Sequence, residues 1–256
     1  MGTKLEGRVA VITGAGSGIG AATARMMAAE GASVVLAGIP AAGVDSVAAE
    51  ISAAGGKALS IPTDVSDSTQ VKAAVEKAVS EFGRLDIAVA SAGIQMHRDD
   101  RDLHTLDESV WDRTHDVNYR GVALTCKYSL AQMVRQGDGG SVVIISSITA
   151  IRGTSQNVSY MSGKSGLLSL NRYIAVHYAK HGIRCNAILP GALELTPNHD
   201  RHPDPEGRAR SLQQKIPLGR LGTPEDIAPF VTFLCTPDAS YATGAEFVID
   251  GGVTVI

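Results

Sequence analysis

Tyr160 and Lys164 stand four residues apart, the interval that places two side chains on one face of a helix, one turn apart. A free tyrosine, with a pKa of ~10, is a poor acid or base near neutrality. An ammonium held beside it favours the phenolate and brings proton transfer towards working pH. Alone, such a pair is an ordinary surface contact, so its meaning depends on its surroundings. A second feature is the run Thr13-Gly14-Ala15-Gly16-Ser17-Gly18-Ile19-Gly20. Glycines let the backbone turn sharply and approach a pyrophosphate, and the helix that follows offers free N–H groups and a positive dipole end. The spacing, G-x-x-x-G-x-G, is not the commoner G-x-G-x-x-G, and a glycine-rich turn by itself also serves as a tight connection.

The elements that must position these groups alternate. Strands are expected at Arg8–Thr13, Ser33–Ala37, Ala58–Pro62, Ile87–Ala90, Ser141–Ser146, Arg184–Leu189 and Glu246–Ile249. Between them, helices are expected at Gly18–Glu30, Val44–Ala54, Ser68–Phe82, a long region Leu106–Arg135, Val158–Lys180 and Pro224–Cys235. Apolar runs such as Val142-Val143-Ile144-Ile145 fit strands buried on both faces. The pattern predicts one α/β domain over residues 1–256, a Rossmann-like doubly wound parallel sheet of about seven strands with helices on both faces. Ala192–Arg210, with three prolines among charges, reads as irregular, and about 192–215 as a lid over a substrate.

Composition narrows the class. The chain has 256 residues, 44% hydrophobic and 19% charged, which suits one globular core and excludes a largely disordered chain. A net charge of −3 without a basic block argues against a nucleic-acid partner. No apolar run reaches the ~18 residues of a membrane span, and Met1–Glu6 is too polar for a signal peptide. Cys126, Cys185 and Cys235 lie far apart without CxxC spacing, as buried thiols in a reducing compartment would. A cytoplasmic location is expected.

In this order the motifs become specific. After the TGAGSGIG turn come Asp64-Val65, Ala90-Ser91-Ala92-Gly93, Val117-Asn118, Ser147, Tyr160-Met161-Ser162-Gly163-Lys164 and Pro190-Gly191. From about Glu6 to Gly252 the chain resembles the classical short-chain dehydrogenase/reductase family. The resemblance implies an NAD(P)-dependent oxidoreductase that interconverts a secondary alcohol and a ketone. It makes Tyr160 the general acid/base, has Ser147 orient the substrate oxygen, and has Asn118 hold a water linking Lys164 to solvent. Lys164 would also bond the nicotinamide ribose. Cofactor contacts are carried over to Gly14, Gly16, Ser17, Gly18, Ile19, Gly20, Gly38, Asp64, Val65, Ser91, Ala92, Gly93, Tyr160, Lys164, Pro190, Gly191 and Leu193. Ser147, Thr149, Asn157 and Tyr160 are expected to meet substrate, with Ser146 the fallback for Ser147 and Gln95, Met96 and Gln156 as further pocket residues. Gly163 and Gly166 suit a helix packed closely on cofactor or sheet.

The chain departs from the family pattern in places. The ribose-reading position at the end of the second strand is Gly38, neither acidic nor basic, and Ser17 stands where some NADP-preferring members have Arg. This leans to NAD, with NADP open. Ser91 replaces an asparagine that ties the fourth strand to its neighbour. Leu195 replaces a threonine that binds the carboxamide, with Thr196 one residue later. His199 and His202, near Asp200 and Asp204, form a weak metal-like cluster, and no metal is expected. His97 reads as an exposed loop residue or a substrate contact, and Arg98-Asp99-Asp100-Arg101-Asp102 as a solvated loop. By analogy a homotetramer, or a homodimer, is expected. Two other readings remain: a 3-oxoacyl-[acyl-carrier-protein] reductase, with Lys180, His181 and Arg184 as a basic rim, and a non-catalytic NAD(P)-binding regulatory protein.

Overall fold

The computed structural model describes residues 3–154, 157–194 and 204–256. Seven strands, β1 (Val9–Thr13), β2 (Ser33–Gly38), β3 (Lys57–Pro62), β4 (Ile87–Ala90), β5 (Gly140–Ile145), β6 (Ile183–Pro190) and β7 (Glu246–Ile249), form one sheet in the order β3-β2-β1-β4-β5-β6-β7. Every pairing is parallel. Each crossover must therefore return the chain to the same edge, and helices do this. The helices are α1 (Gly18–Ala29), α2 (Ala41–Ala53), α3 (Ser68–Phe82), α4 (Glu108–His115), α5 (Val122–Gln136), α6 (Val158–Tyr178), α7 (Pro205–Gln213) and α8 (Pro224–Cys235).

The apolar runs are continuous because the inner strands are covered twice. Residues of α1, α2 and α8 pack on one face and residues of α3, α5 and α6 on the other. β1 and β4 are buried at every position, whereas the outer strands β3 and β7 are only partly covered. The doubly wound sheet is as expected from the sequence. Sheet order reverses between β1 and β4, and that reversal opens a crevice at the carboxyl edge.

Two elements differ from expectation. The region Leu106–Arg135 is not one helix: α4 and α5 are joined by a π-helical segment, Asp116–Gly121, whose wider turn carries Asn118. Such single-turn π segments are frequent at functional sites. Within the irregular stretch, α7 begins at Pro205, where the Asp204 carboxylate accepts from the Gly207 N–H at 2.9 Å. An acidic N-cap followed by proline is a helix-start signal in the sequence itself. Leu195, Thr196, His199 and His202 lie outside the described residues, as does Gln156.

At the amino edge, Asp86 joins three strands. Its carboxylate accepts from Arg8 at 2.9 Å, from the Val9 N–H at 3.0 Å, and from Arg84 Nη2 and Nε at 2.6 and 2.8 Å. Its own N–H donates to Val9 O, and its carbonyl accepts from Ser141 N. Burial pushes the Asp86 carboxyl up, but these hydrogen bonds outweigh it and hold the group below the usual carboxylate range. Asp86→Ala is expected to lower the free energy of unfolding at pH 7 by about 2 kcal/mol, read from urea denaturation. Because the folded value is depressed, the contribution is present above the unfolded value of ~3.9 and is lost as pH falls through the folded one. The two proteins should therefore converge in stability in acid.

Candidate active site

All the expected site residues within the described part lie at or just beyond the carboxyl ends of strands, or on helices packed against those ends. The glycine turn follows β1. Gly14 has φ +68°, and a Cβ there would stand 2.8 Å from the Ala92 backbone. A Cβ on Gly20 would meet the Gly14 carbonyl oxygen at 2.4 Å. The glycines thus bring the turn against the loop after β4 and lay α1 tightly over it. Ser17 is the N-cap of α1, and its side chain makes no capping bond. The first turn of α1 is left open to an anionic ligand, as a pyrophosphate needs.

The loop after β4 is held by Thr13, which the sequence reading passed over. Its hydroxyl donates to Val89 O at 3.4 Å and accepts from the N–H groups of Ser91 at 3.2 Å and Ala92 at 3.5 Å. Main-chain N–H groups here take the tying role expected of an asparagine side chain at position 91. Asn118 holds the next residue: it accepts from the Ile94 N–H at 3.0 Å and donates to Ile94 O at 2.9 Å and Thr114 O at 3.0 Å. Both N–H donors of its amide and one lone pair of its oxygen are thus taken up by protein.

Lys164 lies on α6 and is only 3% exposed. Its ammonium donates to Ile145 O at 2.8 Å and stands over the Tyr160 ring, 5.6 Å from the centroid. The expected one-face geometry holds. Burial lowers the lysine pKa to about 8. A Cβ on Gly93 would come within 3.5 Å of this ammonium and 2.9 Å of Asn118 Oδ1, so Gly93 leaves room for both.

Ser147 follows β5, and its hydroxyl oxygen accepts from Thr149 N at 3.2 Å and Thr149 Oγ1 at 3.0 Å. Two donors on that oxygen leave the Ser147 proton to be given elsewhere, as an oxyanion stabiliser requires. Ser146, the fallback, is buried with its hydroxyl donating to Lys164 O at 2.9 Å. Gly163 and Gly166 face the end of α4 and the π-helical segment that follows it. A Cβ on Gly166 would meet the Tyr119 ring at 2.9 Å, and the side chains near Gly163 are Asn118 and His115, so these glycines admit the α4–π segment.

Asp64 follows β3, where its carboxylate accepts from Ser66 N and Oγ and pairs with Arg113 at 3.5 Å. Burial pushes its carboxyl up, but the Ser66 bonds and the Arg113 guanidinium outweigh this and hold it down. Val65 is buried beside Gly121. Gly191 donates to Ile249 O, and Leu193 bridges to Gly222. Gln95 and Met96 are half-buried, and Gln95 Oε1 is buried with no partner among the described residues.

Two loop expectations are corrected. His97 is buried, with Nδ1 3.2 Å from Asn157 Oδ1. Asp100 is fully buried and bonds the start of α6, whereas its neighbours Arg98, Asp99, Arg101 and Asp102 are exposed as read. Among the described residues, no group of three or more His, Cys, Asp or Glu could hold a metal ion, and no helix is long and apolar enough to cross a membrane.

Residues 14–254 match a family model described as enoyl-(acyl carrier protein) reductase. The chain is 42% identical over 256 residues to cis-4-hydroxycyclohexanecarboxylate dehydrogenase of Sinomonas cyclohexanicum, covering all of both chains. It is 40% identical to an L-rhamnose 1-dehydrogenase (NAD(P)(+)) of a Sphingomonas species, covering 98% of each. A crystal structure of a short-chain type dehydrogenase/reductase from Mycobacterium marinum superposes with a TM-score of 0.92 at 35% identity, covering 99% of this chain and 98% of that one. The chain belongs to the short-chain dehydrogenase/reductase family.

Lys164 gives a direct test of how this site is built. Its folded pKa lies below the unfolded one, so the cost of burying its charge is full below about 8 and disappears above the unfolded value of ~10.4. Lys164→Met should therefore leave the thermal midpoint at pH 7 equal to or above that of the wild type, while turnover falls at least ~100-fold. A calorimetric scan beside a steady-state assay checks both.

Proposed function

We propose that this protein is an NAD(P)-dependent dehydrogenase that interconverts a small, partly polar secondary alcohol and its ketone. The observation that carries the reading is the buried Lys164 ammonium, 2.8 Å from Ile145 O and standing over the Tyr160 ring. A bound nicotinamide supplies hydride acceptance or donation. The chain's own residues do the rest. Lys164 stabilises the Tyr160 phenolate, Tyr160 takes the alcohol proton or returns it to the ketone oxygen, and Ser147 donates to that oxygen. Thr149 orients Ser147, and Asn118 fixes the loop carrying Gly93 beside Lys164. The glycine turn and α1 would hold the pyrophosphate, Asp64 and Val65 the adenine, and Pro190, Gly191 and Leu193 the nicotinamide. The lean to NAD rests on Ser17 and Gly38-Ile39-Pro40, none of them cationic, and on Arg113 being engaged with Asp64 and Ser66.

Gln95, Thr149 and Asn157 supply amide and hydroxyl groups near the catalytic helix, which suits a substrate with a second polar group. The carrier-protein reading finds support in the description of the matching family model. Its proposed rim does not serve it: Lys180, His181 and Arg184 lie between α6 and the start of β6, at the amino edge, and Arg184 donates to Leu234 O and Ala242 O. The regulatory reading is disfavoured by the retention of both Tyr160 and Lys164. Buried free thiols suit a reducing, cytoplasmic setting. Exposed apolar residues on α6 (Tyr173, Val176), on α8 (Phe233), on β7 (Val248) and at Ile256 favour assembly as a tetramer or dimer.

A turnover screen of cyclic alcohols, polyols and their ketones with both nucleotides tests the proposal. Tyr160→Phe should reduce kcat by roughly 100-fold or more while nucleotide affinity, measured by calorimetry, stays within about threefold. No turnover with either nucleotide across the screen would sink the reading, and a strong NADP preference would refute the lean to NAD.

A further inference from the structure

We propose that Asp100 is a positioning residue for catalysis: its carboxylate clasps the first turn of α6 to the loop after β4 and so fixes Tyr160 against Ser147. The first N–H groups of a helix need acceptors, and the N-cap residue ordinarily supplies one. Here the N-cap is Asn157, which has φ 61° and ψ 50° and makes no side-chain capping bond. Asp100 takes over from 59 and 60 residues upstream. Its Oδ1 accepts from Ser159 N and Ser159 Oγ, both at 3.0 Å, and its Oδ2 accepts from Tyr160 N at 3.0 Å. Its main-chain carbonyl accepts from Asn157 N at 2.9 Å.

Four bonds therefore tie three residues at the start of α6 to Asp100: Asn157, the N-cap, Ser159, which is buried, and Tyr160, whose hydroxyl must meet the substrate. His97, three residues before Asp100, reaches Asn157 from the same loop. Asp100 is 0% exposed, so bulk water does not compete with it for these donors. A carboxylate at a helix N-terminus also meets the positive end of the dipole, which makes these bonds charge-assisted. The same loop begins at Ser91-Ala92-Gly93, beside Lys164 and the glycine turn. The clasp thus sets the distance between the nucleotide-side loop and the proton-transfer helix. It acts on the chemical step, because it holds the position of Tyr160 without lining the dinucleotide turn.

The inference rests on the dehydrogenase reading, and the test separates the two. Wild-type inactivity towards all alcohols with NAD and NADP counts against the enzyme reading. Given wild-type turnover, Asp100→Ala should lose roughly tenfold or more in kcat while the calorimetric Kd for NAD or NADP stays within about twofold. Asp100→Asn, whose amide oxygen still serves Ser159, should recover part of that loss. Ser159→Ala, which removes one bond of the four and covers the case in which Asp100→Ala does not fold, should lower kcat by about two- to fourfold with nucleotide Kd unchanged. Wild-type kcat in Asp100→Asn and Ser159→Ala, or kcat and nucleotide affinity falling together in proportion to the folded fraction, overturns the proposal.

Discussion

The site depends on keeping one ammonium in a place that disfavours it. Lys164 is buried to the point that its pKa falls to about 8, yet it must remain charged to act on Tyr160. A single carbonyl, Ile145 O at the end of β5, gives it a fixed partner. That carbonyl is available because β5 stops there and its chain turns away at Ser147. The strand's end therefore positions both the lysine and the serine. Ser146, between them, reaches across to the Lys164 carbonyl and binds α6 to the strand.

Everything else in the crevice can be understood as making room for that arrangement. Gly93 has no side chain, so the loop after β4 passes beside both the ammonium and Asn118. The π segment opens the α4–α5 junction where Asn118 reaches Ile94, and Gly166 lets the Tyr119 ring settle on α6. The parallel sheet brings the strand ends together on one edge, and the reversal of strand order between β1 and β4 leaves that edge open. Stability is spent locally and recovered elsewhere: the Asp86 network at the amino edge and the two apolar faces hold a crevice that would not hold itself.

What could be read in the sequence was whatever depends on local spacing. The Tyr160–Lys164 interval, the glycine turn and the apolar strand runs each encode their structure within a few residues, and the structure places them as expected. The start of α7 was equally local, in Asp204-Pro205, but prolines and charges around it masked the signal. Burial of His97 and Asp100 was not legible, because two arginines and two other aspartates beside them read as solvent-facing. Only the arrival of α6, some sixty residues later in the chain, turns one of those aspartates inward. The π segment was hidden for a similar reason: its residues have helical character, and packing against α6 and the β4 loop decides the wider turn.

The central claim is that a buried cation lowers the cost of ionising Tyr160. An ultraviolet difference titration of wild type minus Tyr160→Phe isolates that one phenol. The account predicts that the phenol ionises while Lys164 still carries its proton, and that its ionisation moves to higher pH when the same titration is run in the Lys164→Met background. A Tyr160 phenol that ionises only after Lys164 has lost its proton, or one whose ionisation does not move when Lys164 is replaced, would contradict it.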